Sequence, residues 1–193
     1  MIKLGRYDVP WTGDPDAYVR FYADAGYRAI YAPPLQPDDA GLIRATREAA
    51  ARVNLIIGEA GAWRNLVAHD ETTRKANLQF AIDTLAVADE LGAVACVAYH
   101  GTVGHPGDGW GLSDNYDYGP HPDNRGEAGL QRMVETARHV IDSVKPKRTK
   151  FSLEMVPWLM TGTPEDYLRV IKAVDRKEFG AHIDAANMIV SPS

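Results

Sequence analysis

Short apolar runs alternate with longer stretches of helical periodicity along most of the chain. Six runs have the length and composition of β-strands: residues 2–9, 28–31, 54–58, 94–99, 151–155 and 180–184. Between them, apolar side chains recur every three or four positions, which predicts helices with one buried face. The clearest stripe consists of Leu130, Met133, Val134, Ala137, Val140 and Ile141. This alternation predicts an α/β fold with a mostly parallel sheet.

The connections between these predicted elements differ in length according to their direction. Links from a helix to the next strand are short, as at Gly26 and Gly92, whereas links from a strand to the next helix include residues 59–71 and 100–125. In parallel α/β folds the strand-to-helix links emerge at the carboxyl ends of the strands, where ligand sites lie. We therefore expect the functional residues at that end.

Six βα units suit either a doubly wound sheet or an incomplete barrel. A dinucleotide-binding sheet carries a G-x-G-x-x-G motif after its first strand. Here residues 5–8 read Gly-Arg-Tyr-Asp instead. The sequence therefore favours a TIM (β/α)8-type barrel with only its first six βα units present, in a single domain over residues 1–193.

Composition narrows the class of protein further. The 193 residues are 45% hydrophobic and 24% charged, which is typical of a globular domain. The net charge of −5 disfavours nucleic acid and anionic membranes as partners. The single cysteine, Cys96, excludes an intramolecular disulfide and is expected to be buried. With no signal-peptide pattern and no long apolar span, the sequence predicts a cytoplasmic protein.

Two carboxylates are predicted to meet at the ends of neighbouring strands. In the fifth predicted strand, Phe151 and Leu153 alternate with Glu154, and in the sixth His182 and Asp184 share the inward face. Adjacent strands lie about 5 Å apart, so the two acids need a shared cation or proton. A divalent metal such as Mn²⁺, Mg²⁺ or Co²⁺ fits this donor set. The alternative is that Asp184 caps the following turn and Glu154 pairs with an arginine.

All four tryptophans follow the end of a predicted strand, and histidines gather at the same end. Indole rings beside polar groups suit a sugar or polyol, whose C–H faces stack on the rings. The alternative is that these rings only fill large loops. We expect one shared pocket that contains the four indoles Trp11, Trp63, Trp110 and Trp158.

The segment Leu153-Glu154 and the stretch over residues 180–188 resemble the sugar phosphate isomerase/epimerase family, whose xylose isomerase-like TIM barrel also occurs in AP endonucleases. The opening residues 2–5, and residues 25–27 and 91–93 before two predicted strands, fit the same family. The resemblance implies that Glu154 and Asp184 are metal ligands. It also implies aldose–ketose isomerisation or epimerisation through an enediolate, with Glu154 as an acid/base.

The same resemblance implies a divalent-metal cofactor, with Mn²⁺ first and Mg²⁺, Co²⁺ or Zn²⁺ as alternatives. Asn187 stands where some ketose epimerases have a further histidine. His100 either orients a substrate hydroxyl or bonds within its own loop. The substrate-binding candidates are Trp63, His100, Trp110, Trp158 and Asn187.

The family completes its metal site with a histidine and a glutamate from strands seven and eight, and the sequence ends before both. We therefore expect a C-terminally incomplete barrel, inactive alone, with a homo-oligomer or a second chain closing the gap. A metal-dependent lyase or dehydratase and a non-catalytic binding subunit remain alternatives. Endonuclease activity is the weaker prediction, because residues 58–61 lack the strand-three histidine of that branch.

Overall fold

The computed structural model describes residues 2–104 and 119–189. Within these residues, five strands form one parallel sheet in the order β1-β2-β3-β4-β5. The strands are β1 (Ala29–Tyr31), β2 (Ile56–Ala62), β3 (Ala95–Ala98), β4 (Lys150–Glu154) and β5 (Phe179–His182). Sequential, parallel order is the arrangement of a barrel, whereas a doubly wound sheet reverses its order at a switch point. The prediction of a partial barrel is therefore confirmed.

Six α-helices and one 3₁₀ turn are found among the described residues. They are α1 (Pro15–Asp24), α2 (Ala40–Arg52), α3 (Glu71–Leu91), the 3₁₀ turn (Pro122–Asn124), α4 (Gly126–Val144), α5 (Pro164–Val174) and α6 (Ala185–Ile189). Side-chain caps, which Asp14-Pro15 and Thr163-Pro164 indicate in the sequence, begin two of the helices: the Asp14 side chain accepts from two backbone N–H groups at the start of α1, and the Thr163 hydroxyl accepts from one at the start of α5. Gly92 ends α3 in the left-handed conformation.

The helices cover the outer face of the sheet and form the core with it. On α4, Met133, Ala137 and Val140 are completely buried, as the apolar stripe predicts. Phe151 and Leu153 of β4 are also buried on this outer side. Cys96 lies fully buried in β3, which confirms its expected role as a small apolar side chain. None of the helices in the described part of the chain is long and apolar enough to span a membrane.

The prediction of a strand over residues 2–9 is wrong, because this segment runs beside β1 without a ladder. Its backbone hydrogen bonds at this edge go through the carbonyl oxygen of Leu4, which accepts from the N–H groups of Ala29 in β1 and of Arg28 just before it. Ile2 and Leu4 are 89% and 71% exposed, so their apolar side chains have no core to bury in. A regular strand needs repeated hydrogen bonds and a buried face, and the segment has neither.

The sheet curves strongly toward its inner face. In a flat sheet, β2 and β5 would lie three inter-strand spacings, or roughly 14 Å, apart. The side chains of Glu59 on β2 and His182 on β5 nevertheless meet at 3.2 Å. The inner face is therefore concave, and side chains from distant strands converge on it.

Candidate active site

A cavity of about 900 Å³ opens on the concave side of the sheet, where the carboxyl ends of the strands meet. Each strand places at least one side chain on its wall, either from within the strand or from the residues just beyond its end. These side chains include Tyr31, Glu59, Tyr99, Glu154 and His182. The structure therefore has a large cavity at the end of the barrel predicted from the loop lengths.

Glu154 and Asp184 both line this cavity, from the ends of neighbouring strands. Burial, together with the adjacent Asp184 carboxylate, raises the pKa of Glu154 to about 7. This shift reflects the cost of two close negative charges in a partly desolvated place. The predicted convergence of the two carboxylates is present in the structure.

Asp184 also has a local structural role. Its Oδ1 accepts hydrogen bonds from the backbone N–H groups of Ala186 at 2.8 Å and Asn187 at 3.3 Å, at the start of α6. The charged groups that act on Glu154 are Asp184, His182 and Glu59, so no arginine neutralises it in the described structure. Capping by Asp184 thus coexists with its position beside Glu154.

His182 pairs with Glu59 across the inner face of the sheet. Its Nε2 lies 3.2 Å from Oε2 of Glu59, and both side chains are about three-quarters buried. The hydrogen bond to this carboxylate is the main reason that the pKa of His182 is raised above its usual value. The cavity therefore holds three carboxylates and one imidazole.

The strand ends that carry these groups are fixed by polar contacts behind them. The hydroxyl of Tyr167 donates to the carbonyl oxygen of Leu153 and accepts from the backbone N–H of His182 at 3.0 Å. The hydroxyl of Thr161 donates to the carbonyl oxygen of Glu154 at 2.7 Å. These bonds limit the movement of the backbone at both site residues.

Three aromatic rings form one wall of the cavity. Trp63 packs on Tyr99 with ring centroids 4.8 Å apart, and its indole N–H donates to the hydroxyl of Tyr31 at 2.9 Å. Burial raises the pKa of Tyr31 to about 12, so this phenol stays protonated. The predicted stacking candidate Trp63 is therefore at the site, with two tyrosines that the sequence analysis did not single out.

The remaining predicted site residues are spread over several places. Asn187 lines the cavity and donates to the carbonyl oxygen of Met155 at 3.2 Å. His100 is 3% exposed and is not among the residues that line the cavity, and burial lowers its pKa to about 4. Trp158 packs against the hydrophobic core. Trp110 lies outside the described residues.

The expectation that all four indoles share one pocket is wrong. Trp11 lines a different cavity of about 320 Å³, where its ring meets Tyr18 edge to face. Trp158 is not among the described residues that line the large cavity. Aromatic residues after strands also serve to cover the core, as the alternative interpretation of these tryptophans holds.

Sequence reasoning did not place Glu59 in the cavity, and it did not predict the contact between Glu59 and His182. The strand that holds Glu59 was predicted to end at residue 58, but β2 continues to Ala62. The residues after Gly58 are mostly glycine and alanine, which are poor strand formers and hid the continuation. The available signal was an isolated glutamate at a strand end, opposite an inward-facing histidine.

The donor set fits part of a divalent-metal site. No group of three or more His, Cys, Asp or Glu side chains is arranged to hold a metal ion among the described residues. Glu154 and Asp184 supply two adjacent oxygen ligands whose repulsion a cation would relieve. Two protein ligands suit an open site, in which other oxygen donors occupy the remaining positions.

The fold and the site together define a barrel-type α/β protein with an acidic cavity at the carboxyl ends of its strands. The family model for the xylose isomerase-like TIM barrel matches residues 19–192. The chain belongs to this family. A search of curated protein sequences found no match.

Similar solved structures show the same fold at low sequence identity. A xylose isomerase-like TIM barrel protein from Mycobacterium smegmatis, in complex with magnesium, is 22% identical with a TM-score of 0.62 over 94% of this chain. A D-allulose 3-epimerase from Methylomonas sp. is 17% identical with a TM-score of 0.65 over 98%. The 3-keto-D-glucoside 4-epimerase of E. coli is 14% identical with a TM-score of 0.69 over 97%.

The chain spans only part of these proteins. It covers 59% of the Mycobacterium protein, 65% of the Methylomonas epimerase and 69% of the E. coli epimerase. A partial barrel of five described strands agrees with this coverage.

Proposed function

We propose that this chain carries the metal-binding part of a divalent-metal-dependent sugar isomerase or epimerase. The observation that carries the proposal is the pair of carboxylates, Glu154 and Asp184, which face one cavity from neighbouring strand ends. Family membership and the sugar epimerases among the similar structures support it. Mn²⁺, Mg²⁺, Co²⁺ and Zn²⁺ are the candidate ions.

Glu154 and Asp184 would hold the ion through their carboxylate oxygens. When bound, a divalent ion supplies Lewis acidity that polarises the carbonyl and neighbouring hydroxyl of a sugar. Further protein ligands, water or substrate oxygens would complete the coordination. The two described ligands leave room for such donors.

Glu154 would also act as the acid/base. A carboxylate oxygen of Glu154 takes the proton from the carbon beside the substrate carbonyl, the C–H electron pair becomes the carbon–carbon double bond, and the C=O π pair moves onto the carbonyl oxygen, which gives the enediolate. Return of the proton to the former carbonyl carbon, with transfer of the neighbouring hydroxyl proton to the other oxygen, gives the isomer, whereas protonation of the original carbon from the opposite face by a second acid gives the epimer.

The substrate class is a sugar or keto-sugar. The wall of Tyr31, Trp63 and Tyr99 offers apolar ring surface for the C–H face of a sugar. Asn187 and the carboxylates offer partners for hydroxyl groups. A lyase or dehydratase acting on a similar substrate would begin with the same proton abstraction, so product analysis distinguishes the two reactions.

The test uses the full-length gene product that contains this chain, with a panel of ketoses and added Mn²⁺ or Mg²⁺. Glu154→Gln and Asp184→Asn should each abolish interconversion, because each removes a charged ligand. Glu178→Gln is the matched control: this glutamate precedes β5 at the opposite end of the barrel, beside Lys177. Wild-type activity in both site variants would overturn the assignment of this pair. Elimination products in place of isomers would establish the lyase reaction.

A further inference from the structure

The proposed function leaves the pair of Glu59 and His182 unused, although both side chains line the same cavity as Glu154 and Asp184. The two residues are 123 positions apart in the sequence and three strands apart in the sheet. This contact forms only because the whole sheet curves, since the two strands would otherwise lie far apart. Its position in the cavity indicates a role at the site.

His182 lines the cavity together with the carboxylates of Glu154, Asp184 and Glu59. It is directly opposite Glu154 in the β4–β5 register, and Asp184 follows two residues later on the same side of the chain. Glu59 approaches from β2 and brings its Oε2 to 3.2 Å from Nε2 of His182. The imidazole thus contacts Glu59 and lies beside Glu154 in the sheet register.

The chemistry of the four groups indicates which ring nitrogen of His182 carries a proton. A carboxylate oxygen paired with a ring nitrogen accepts, so Nε2 of His182 carries a proton and donates it to Glu59. His182 is therefore a hydrogen-bond donor that lines the cavity together with three acidic side chains. Its orientation decides how well it offsets their mutual repulsion.

The backbone of His182 is already held, and the ring is held by Glu59. Its N–H donates to the Tyr167 hydroxyl at 3.0 Å, which fixes the end of β5. Its Nδ1 is buried without a hydrogen-bond partner among the described residues. The ring orientation consequently depends on the hydrogen bond from Nε2 to Glu59.

We propose that Glu59 is a positioning residue that acts through His182. It fixes the imidazole beside Glu154 and Asp184, and so keeps the two carboxylates in the arrangement that the reaction needs. This inference rests on the proposed isomerase or epimerase function.

Kinetics of the full-length gene product test the positioning role. Removing a hydrogen-bonding partner behind a metal ligand set costs about tenfold to a hundredfold in activity, so Glu59→Ala should lower kcat by at least about tenfold with little change in KM. Glu59→Gln should retain part of kcat, since its amide oxygen accepts from Nε2–H. The double variant Glu59→Ala/His182→Ala should lose no more than the single variants, because the pair acts as one unit.

A spectroscopic measurement tests the contact without substrate. In protein labelled with ¹⁵N-histidine, Glu59→Ala should shift the side-chain nitrogen signals of His182 at a fixed pH. Asp142→Asn is the control, because it breaks an ion pair on the outer helices in which both oxygens of Asp142 contact Arg176 at 2.8 Å. It should leave both kcat and the His182 signals unchanged.

The outcomes separate this inference from the proposed function. Unchanged kcat in Glu59→Ala, or unchanged His182 signals, would overturn the positioning role while leaving the isomerase proposal intact. If Glu59→Ala lowers the melting temperature as well as the activity, and Glu59→Gln restores neither, the pair only stabilises the fold. That result would also overturn the positioning role. Wild-type protein without any activity on sugars would remove the proposed function and this inference with it.

Discussion

At the scale of single residues, Gly61 shapes the aromatic wall because it has no side chain. A Cβ at this position would overlap both the Tyr31 hydroxyl and the Trp63 indole nitrogen, which are hydrogen-bonded to each other. Gly61→Ala should therefore part the two rings and lower the free energy of unfolding by about 1–3 kcal/mol. Chemical denaturation followed by tryptophan fluorescence measures this loss.

Gly41→Ala provides the comparison for Gly61. No atom lies within 4 Å of the Cβ that this substitution adds in α2. Alanine is the better helix former, so this variant should be as stable as the wild type or slightly more stable. Equal free energies of unfolding for the two alanine variants would show that Tyr31 and Trp63 can move apart without destabilising the protein.

Asp89 should make stability depend on pH. Burial alone would raise the pKa of this carboxyl. The backbone N–H groups of Lys147, Arg148 and Thr149 all donate to its Oδ1, and together they lower the pKa by more than burial raises it. The net pKa of Asp89 is therefore below its usual value. A folded-state pKa below the unfolded one adds stability above the unfolded pKa, about 4. That stability is lost as the pH falls through the lower folded-state pKa.

The variant Asp89→Asn isolates this effect. At pH 7 it should lower the free energy of unfolding by about 1–2 kcal/mol, because neutral acceptors make weaker hydrogen bonds. The difference from wild type should shrink as the pH falls below about 4, where Asp89 itself becomes protonated. Urea denaturation at several pH values measures it, and a difference that persists unchanged at low pH would contradict this account.

The sequence was informative about residues whose neighbours alternate clearly. Glu154 stands beside Phe151 and Leu153, and this period of two correctly placed its side chain on the inner face. Glu59 has no alternating large apolar neighbours, because the residues next to it are glycine and alanine. Its partner is also 123 positions away, so the contact depends on sheet curvature that no local pattern encodes.

At the scale of elements, a buried asparagine joins the residues that flank the long connection between β3 and α4. Asn124 accepts from the Thr102 hydroxyl at 3.1 Å and the Val103 N–H at 3.0 Å, and donates to the Gly119 carbonyl oxygen at 3.1 Å. The side chain is 3% exposed, so water cannot readily replace these bonds. Asn124 therefore ties the start of this connection to its end.

Asn124→Ala should be costly for this reason. Each buried polar group left without a partner costs about 1–3 kcal/mol, so the free energy of unfolding should fall by at least about 2 kcal/mol. Gln131→Ala, which removes an exposed side chain bonded to Glu135, should change it by less than about 0.5 kcal/mol. Similar values for the two variants in urea denaturation would contradict the assigned role.

The helices were predictable from the sequence where only one face of the helix is buried. The stripe on α4 and the caps at Asp14 and Thr163 are local signals, and the structure has these features where the sequence places them. The segment over residues 2–9 has a similar apolar content, but its environment decides its conformation. Ile2 and Leu4 face solvent, so the apolar pattern alone was insufficient.

At the scale of the whole molecule, the described sheet ends at β1, where the backbone around Leu4 covers the edge without forming a strand, and at β5. No described strand pairs with the outer edge of β1 or β5. Ile183 and Ile189, which follow β5, are 66% and 81% exposed. Unpaired edges next to exposed apolar side chains are templates for association with another strand.

We expect residues 1–193, produced alone, to self-associate. Light scattering at several concentrations measures the mass. A concentration-independent monomer of residues 1–193 would show that the edges are already protected.

Proton exchange into substrate tests the central claim most directly, because it reports the first chemical step before any product is released. The full-length gene product is incubated with a ketose and Mn²⁺ in D₂O, and deuterium at the carbon beside the carbonyl is followed by NMR. Glu154→Gln should slow the exchange by at least about a hundredfold, the usual contribution of a general base, whereas Glu178→Gln should leave it unchanged. Exchange at the wild-type rate in Glu154→Gln would contradict the assignment of Glu154 as the base.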